Sequence, residues 1–152
     1  MINIRIATPD DINYLMSSRL EMLKVVNDLP EDYEFSDEIV AESYDYFLNG
    51  DHLTVLAFDG GELIGCASMS FIRIMPTFGH PTGKRAHLMN VYTRREYRRQ
   101  GIAHKMVELL IGETWKRGAT EISLDATKLG RLLYESLGFT DSTEYMVLTL
   151  NR

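Results

Sequence analysis

The chain is poor in cysteine and in long apolar stretches, and each shortage excludes a class of protein. Its one cysteine among 152 residues, Cys66, has no internal partner for a disulfide and no His or Cys neighbour at zinc-ligand spacing, so no metal is expected. The apolar runs are only a few residues long, too short to span a bilayer. The first eleven residues hold charges and a proline, unlike a signal peptide. We expect a cytoplasmic protein without membrane partners.

The rest of the composition is that of an ordinary folded domain. Hydrophobic residues make up 45% and charged residues 25% of the chain, which excludes disorder, collagen-like repeats and a coiled-coil rod. The sequence contains no repeat, no low-complexity tract and no Gly/Ser linker. We therefore expect one domain over residues 1–152.

Charge is distributed unevenly along the chain. Residues 1–60 carry thirteen acidic and three basic side chains, whereas residues 61–152 carry nine and thirteen. The acidic half argues against nucleic-acid binding, which needs a basic face. It suits a cationic small molecule on one side of the protein and an anionic one on the other, although a solvated surface with uneven patches is equally compatible with these counts.

Hydrophobic periodicity and turn residues predict alternating strands and helices. Helices are predicted after a Thr8-Pro9 start with Ile12 to Leu23 at helical spacing, after Ser36 as far as Asn49, over Gly101 to Lys116, and over Lys128 to Leu137. Strands are predicted at Ile2–Ile6, Leu53–Phe58, Leu63–Ile74, Ala86–Thr93, Glu121–Leu124 and Tyr145–Leu150. The order βααβββαβαβ predicts an α/β (α+β) domain with a mixed central sheet flanked by helices.

One predicted strand leads directly into a helix through an arginine-rich loop. This loop comprises residues 94–103, with the sequence RREYRRQGIA. Free N–H groups at a helix start carry partial positive charge, and Gly101 would let a bulky anion approach the backbone. Backbone donors at the centre with guanidiniums at the rim predict a pyrophosphate site. The rival phosphate motifs, GxxxxGK[ST] and GxGxxG after a strand, are absent from the sequence.

A second constellation runs from Leu124 to Phe139, where a strand ends, a helix follows and Gly138-Phe139 closes it. Leu129, Leu132, Leu133 and Leu137 fall on one apolar stripe of this helix. Tyr134 lies well over 90° from the middle of the stripe at about 100° per residue. Its phenol is predicted to face a cleft as a proton donor, the alternative being an ordinary half-exposed tyrosine.

With these motifs the sequence resembles the GNAT superfamily of acetyl-CoA-dependent N-acetyltransferases, most strongly from Leu88 to Phe139. Residues 98–103, RRQGIA, are similar to the family's [RQ]-x-x-G-x-[GA] pyrophosphate loop, and residues 133–139, LYESLGF, to its C-terminal helix and Gly-Phe ending. The resemblance implies the GNAT fold and direct transfer of an acetyl group from acetyl-CoA to a primary amine of a small molecule or peptide, without a metal. A covalent route through Cys66 is an alternative that direct attack makes unnecessary.

The resemblance also implies roles for individual residues. Val91 and Thr93 would offer backbone groups to the pantetheine arm and thioester, and the backbone from Arg98 to His104 would wrap the pyrophosphate. Thr127 stands where the family usually has a cofactor-contacting asparagine, and Tyr134 would protonate the leaving thiolate. The implied cofactor-binding residues are Val91, Thr93, Arg98, Arg99, Gln100, Gly101, Ile102, Ala103, His104 and Thr127.

The base that takes up the amine proton stays open at this stage. The strand before the loop has no glutamate at its start, and His87 there, an acid in residues 28–45, or water are the candidates. Residues 28–45 contain eight acids and no Lys or Arg, which would attract a cationic amine, although a solvated acidic helix face fits as well. The acids are Asp28, Glu31, Asp32, Glu34, Asp37, Glu38, Glu42 and Asp45, and the neighbouring aromatics are Tyr33, Phe35, Tyr44, Tyr46 and Phe47.

Two other functions remain compatible with the sequence. A GNAT-like domain that senses acetyl-CoA without catalysis would keep the loop, although it would not need Tyr134. An O-acyltransferase or a user of longer acyl chains would share the same motifs. A homodimer is a further expectation, since the predicted strand Tyr145–Leu150 could pair across subunits.

Overall fold

A computed structural model of the chain describes residues 1–142 and 144–150. Its strands and helices follow in the order β1 (Ile2–Ile6), α1 (Ile12–Val26), α2 (Asp37–Asn49), β2 (His52–Asp59), β3 (Glu62–Arg73), β4 (Lys84–Thr93), α3 (Ile102–Lys116), β5 (Ile122–Leu124) and α4 (Arg131–Ser136). One-turn 3-10 helices at Pro9–Asp11 and Arg95–Tyr97 precede α1 and α3.

The five strands form one mixed sheet in the order β1-β2-β3-β4-β5. Neighbours are antiparallel except β4 and β5, which run parallel. Alternation along β2, β3 and β4 sends apolar side chains to both faces, so the sheet has a core on each side. One core packs against α3 through Met106 and Leu110, and the other packs against α1 and α2 through Leu15 and Phe47.

The sheet opens between β4 and β5. Their pairing ends at Leu88 and Leu124, although β4 continues to Thr93. In the same stretch the β3–β4 register shifts between Cys66 and Ser68, and Asn90 has a φ of 60°. A bulge of this kind bends a strand and redirects its side chains, and asparagine tolerates the left-handed conformation better than most residues. The last residues of β4 therefore border a gap in the sheet.

The predicted architecture is confirmed for five of the six strands, and the prediction of a strand at Tyr145–Leu150 is wrong. Residues 145–150 form no backbone hydrogen bond with the part of the chain that the structure describes, and Leu148 is 95% exposed. Alternating β-formers suit a strand, but a strand needs an edge to pair with, and three-residue β5 offers little edge.

The last helix also differs from its prediction. It begins at Arg131, not Lys128, so Leu129 lies in the preceding turn. Leu129 and Leu132 are both exposed, whereas Tyr134 and Leu137 pack against the α3-side core. The buried side of α4 is therefore shifted towards Tyr134. No helix in the described ranges is long and apolar enough to cross a bilayer.

Candidate active site

The loop between β4 and α3 presents a row of unpaired backbone donors. Gly101 (φ 80°) precedes the first residue of α3, and Arg99 also has a positive φ, of 65°. The first hydrogen bond inside the loop-to-helix junction runs from the N–H of Lys105 to the Gly101 carbonyl. The six N–H groups from Arg99 to His104 therefore have no acceptor among the described residues. Such successive donors with the helix dipole behind them suit a multiply charged anion.

The sequence predicted that the arginines of this loop surround a pyrophosphate site, but not all of them are free to do so. Arg94 makes a bidentate ion pair with Glu21 of α1 (3.0 and 2.9 Å) and a further contact with Glu62 (2.8 Å). These carboxylates raise the pKa of Arg94 and already neutralise its charge. Arg98 donates its Nε to the Thr93 carbonyl at 2.9 Å. Arg94 therefore ties α1 to the sheet, while the exposed Arg99 makes no ion pair with the described residues.

The open end of β4 carries the other groups assigned to the cofactor. The Arg94 N–H points to β3, where it donates to the Ile64 carbonyl at 2.8 Å. By alternation, the backbone groups of Val91 and Thr93 point away from β3, into the gap beside β5. The Thr93 hydroxyl is buried and has no hydrogen-bond partner in the described structure. A buried orphan hydroxyl of this kind fits a strand end that receives a ligand.

Tyr134 and Thr127 lie next to each other across Gly130. A Cβ atom on Gly130 would stand 2.8 Å from Cε2 of Tyr134 and 3.2 Å from Oγ1 of Thr127, so only glycine permits this packing. The Thr127 oxygen accepts the Gly130 N–H at 3.2 Å, which leaves its own hydrogen free to donate. The Tyr134 hydroxyl makes no hydrogen bond with any described residue, and partial burial raises the pKa of its phenol. The phenol is thus protonated at neutral pH and available to donate.

A cavity of about 500 Å³ lies between α2 and the sheet, beside the bulge of β4. Arg19 of α1, Ser68 and Ser70 of β3, and Met89 and Asn90 of β4 form one side. The other side comes from α2 and its end, through Ile39, Glu42, Ser43, Asp45, Tyr46, Phe47, Asn49 and Gly50. Its floor thus borders the strand segment that leads to Val91.

Only part of the acidic segment reaches this cavity. Of the eight acids in residues 28–45, Glu42 and Asp45 line it, and Asp45 accepts a hydrogen bond from Asn49 at 2.7 Å. Of the five aromatics, Tyr46 and Phe47 line it, whereas Tyr33 packs edge-on against Phe35 elsewhere. The cavity therefore offers two carboxylates and two aromatic rings, together with the Arg19 guanidinium.

Sequence reasoning missed a chain of polar side chains that leaves the cavity. Arg19 contacts Asn90 (3.3 Å), Asn90 contacts Ser68 (3.1 Å), Ser68 contacts Thr54 (2.8 Å), and Thr54 contacts His52 (3.0 Å). Thr54 and Ser68 share the α2 face of the sheet with apolar neighbours. The sequence did hold a signal for this chain, because Thr54 and Ser68 are polar residues at core-facing positions of the predicted strands.

His87 lies on the same face of the sheet but outside the cavity lining. Its Nδ1 contacts the Ser123 hydroxyl at 2.8 Å, and its Nε2 lies 3.5 Å from an Asp125 carboxylate oxygen. Both partners belong to β5 or follow it directly. Met89 lies between His87 and the bulge along β4. The histidine therefore connects β4 with the end of β5 in this structure.

Comparisons with known proteins agree with this fold. Residues 20–139 match the sequence model of the Acetyltransferase (GNAT) family. None of the curated proteins matches the chain. A predicted acetyltransferase from Clostridium acetobutylicum, solved with acetyl-CoA, is 30% identical, with a TM-score of 0.85 over 98% of this chain and 96% of the other.

Two more distant structures show the fold alone. A GCN5-related N-acetyltransferase from Ralstonia eutropha JMP134 is 22% identical, with a TM-score of 0.76 over 98% of this chain and 99% of that one. An aminoglycoside acetyltransferase, meta-AAC0020, from an uncultured soil metagenomic sample and in complex with sisomicin, is 12% identical, with a TM-score of 0.74 over 99% and 97%. With four-fifths of its length matched by the family, the chain belongs to the GNAT acetyltransferases.

Proposed function

We propose that the protein transfers an acetyl group from acetyl-CoA to a primary amine by direct attack of the amine on the thioester. The observation that carries this proposal is the set of six unpaired N–H groups from Arg99 to His104 at the start of α3. A diphosphate would satisfy these donors, and the helix dipole favours its charge. The acetyl-CoA in the Clostridium acetobutylicum structure supports the same co-substrate here.

The residues present fit an acyl-CoA along β4. The loop from Arg98 to His104 would hold the diphosphate, and Val91 and Thr93 would receive the pantetheine arm at the open strand edge. The orphaned Thr93 hydroxyl supports this placement, because a buried hydroxyl without a partner is costly until a ligand supplies one. Thr127 would add a hydroxyl donor from the opposite side of the gap.

The acceptor amine would enter the cavity between α2 and the sheet. Its wall combines Glu42 and Asp45 with the rings of Tyr46 and Phe47, which suits a cationic group. The fold relatives named above include an N-acetyltransferase and an aminoglycoside acetyltransferase in complex with sisomicin, which supports an amine acceptor for this chain. We keep a primary amine of a small molecule or peptide as the acceptor class.

Tyr134 would protonate the leaving thiolate. Its phenol has no hydrogen bond with the described residues, and burial raises its pKa. The phenol would therefore stay protonated until it donates its proton to the sulfur of the leaving CoA. The nitrogen lone pair forms the new bond to the carbonyl carbon, the carbon–sulfur bond breaks, and the phenol proton goes to sulfur. The nitrogen loses one proton as the amide forms, and the Tyr134 phenolate regains a proton from solvent. No covalent enzyme intermediate is required.

The test is acetyl-CoA titration by calorimetry, followed by CoA release with spermidine, sisomicin, L-lysine and a lysine-containing peptide as acceptors, with alcohol acceptors and longer acyl-CoA donors assayed in parallel. We expect micromolar binding and turnover with at least one amine. Binding without turnover on a broad panel of amines would favour an acetyl-CoA sensor, and turnover only with alcohols or longer acyl chains would change the acceptor or donor class. Absence of binding at millimolar acetyl-CoA would overturn the proposal.

The assembly and cellular setting are further parts of the proposal. We propose one domain over residues 1–152 and a homodimer in which the exposed apolar segment 145–150 is covered by a second copy. Tyr145, Met146, Val147, Leu148 and Leu150 are each at least 69% exposed in the single chain. Sedimentation of the intact protein tests the dimer. A cytoplasmic setting suits the free thiol of Cys66.

A further inference from the structure

We propose that the proton lost by the acceptor amine travels through the hydroxyls of Ser68 and Thr54 to the imidazole of His52. This inference rests on the proposed function, since it places the proton acceptor for the amine in the α2 cavity. Ser68 lines that cavity, whereas His52 lies at the start of β2 beneath α2. Among the described residues, Thr54 joins the two by hydrogen bonds to each.

The direction of every hydrogen bond in this chain is fixed by chemistry at its two ends. Nε2 of His52 lies 2.8 Å from the Phe47 carbonyl, which only accepts, so Nε2 carries the ring proton. Nδ1 of the neutral ring is then an acceptor, and it takes the Thr54 hydroxyl proton over 3.0 Å. The terminal imidazole is thus held with its basic nitrogen towards the cavity side.

The same reasoning orders the rest of the chain. Thr54 donates to His52, so its oxygen accepts the Ser68 hydroxyl proton over 2.8 Å. The Ser68 oxygen accepts one proton from the Asn90 amide (3.1 Å), whose own carbonyl oxygen accepts from Arg19 (3.3 Å). One lone pair of Ser68 remains for a donor in the cavity. An amine N–H that binds there completes an unbroken path.

Burial keeps solvent water out of this path. Thr54 is 1% exposed and Ser68 is 5% exposed, so water does not separate the two hydroxyls. His52 is only half-buried, which lets it return the proton to solvent after each turnover. The titratable and charged groups around it are Tyr46, stacked on the ring at 5.4 Å, and Asp51, which pairs with Arg117 at 3.6 Å.

The transfer balances without another reactant. The amine proton passes to the Ser68 oxygen, the Ser68 proton passes to Thr54, and the Thr54 proton passes to Nδ1 of His52. The nitrogen keeps the electron pair that forms the amide bond, and His52 becomes an imidazolium. The imidazolium gives one proton to solvent, and return of the ring to its Nε2–H tautomer with rotation of the two hydroxyls resets the chain. His52 acts through the two hydroxyls and does not touch the substrate.

Matched substitutions at Thr54 separate this role from packing. We expect Thr54→Val to lower kcat by on the order of 100-fold with acetyl-CoA and the fastest amine of the panel, the low end of a general-base contribution. Thr54→Ser keeps the hydroxyl and should stay within about threefold of the wild type. The acidic limb of the pH–rate profile should vanish in His52→Gln, because this variant has no imidazole whose protonation would stop it from accepting the amine proton.

The surface pair of His80 and Thr120 provides the control. Its Nδ1–Oγ1 distance of 2.8 Å is close to that of His52 and Thr54, but the pair is exposed and does not line the cavity. Thr120→Val should leave kcat and the pH profile unchanged. Equal rate losses in Thr54→Val and Thr54→Ser, or an acidic limb that persists in His52→Gln and vanishes in His87→Gln, would overturn the relay.

A readout without turnover separates failure of the relay from failure of the proposed function. Long-range ¹H–¹⁵N correlation of the ¹⁵N-labelled protein reports the His52 tautomer directly. We expect the Nε2–H form in the wild type and Thr54→Ser, and a changed Nδ1 shift in Thr54→Val. An Nδ1–H tautomer in the wild type would refute the relay even if every amine of the panel were acetylated.

Discussion

The thiol of Cys66 donates to the backbone carbonyl of Asn90 at 3.3 Å, across the register shift between β3 and β4. Cys66 is fully buried, and this burial raises the pKa of its thiol to about 12. A thiol in that state is a poor nucleophile at neutral pH. The contact therefore packs the strand bulge beside the site, and we expect no covalent intermediate at Cys66.

Cys66→Ala tests the covalent alternative. We expect kcat within about threefold of the wild type and a loss of about 1 kcal/mol in the free energy of unfolding, because a small cavity replaces the sulfur. Mass spectrometry of the wild type with acetyl-CoA should show no acetyl adduct on Cys66. A trapped acetyl-cysteine, or loss of turnover in a folded Cys66→Ala protein, would establish the two-step route.

Gly101→Ala tests the diphosphate site. The glycine has a φ of 80°, where a side chain costs about 1–2 kcal/mol, although a Cβ there would meet no atom within 4 Å. We expect the Kd for acetyl-CoA, measured by calorimetry, to rise about tenfold as the loop donors are displaced. Gly112→Ala, within α3 and also in open space, should leave the Kd unchanged and add about 0.5–1 kcal/mol of stability. Unchanged binding in Gly101→Ala would move the diphosphate elsewhere.

Tyr134→Phe tests the general acid. We expect kcat to fall about 100-fold with little change in the KM for acetyl-CoA, since the ring packing stays and only the proton donor is lost. Burial raises the pKa of Tyr134, so the wild-type rate should not decline from phenol ionisation below about pH 10. Tyr14→Phe, a half-exposed ring on the other side of the sheet, serves as the control. Full activity in Tyr134→Phe would assign the acid to another group.

The Arg5–Asp11 ion pair predicts a specific loss of stability in acid. Arg5 donates to both Asp11 oxygens at 2.7 and 2.8 Å, and this hydrogen bonding lowers the pKa of Asp11 to about 2. The folded pKa lies below the unfolded value of about 3.9, so the stabilisation is present above about pH 4 and is lost as pH falls towards 2.

Urea unfolding at pH 5 and pH 2 measures this contribution. Asp11 is 8% exposed, and we expect the wild type to lose about 2 kcal/mol more than Asp11→Asn over this interval. Asp10→Asn is the control, because Asp10 is exposed and makes no ion pair among the described residues. Identical acid sensitivity of the wild type and Asp11→Asn would show that the pair does not stabilise the fold.

The sequence by itself determined the elements whose signals are local. Period-two and period-3.6 patterns located five strands and four helices, because each pattern reflects which face of one element is apolar. The loop from Arg98 to Ala103 was readable for the same reason: strand, glycine and helix start are consecutive in the chain. Together with the motif at residues 133–139, this loop carried the resemblance to the GNAT family.

Only the tertiary structure decided what depends on contacts between elements. The alternation at Tyr145–Leu150 predicted a strand, but pairing depends on a partner strand elsewhere, and the segment forms no backbone hydrogen bond with the described residues. The cavity joins Arg19, Ser68 and Asn90 from three elements, and the bulge at Asn90 sets which backbone groups of β4 stay open. Strand register and the splay of β4 from β5 fix these relations, and neither is encoded in the spacing of residues along one segment.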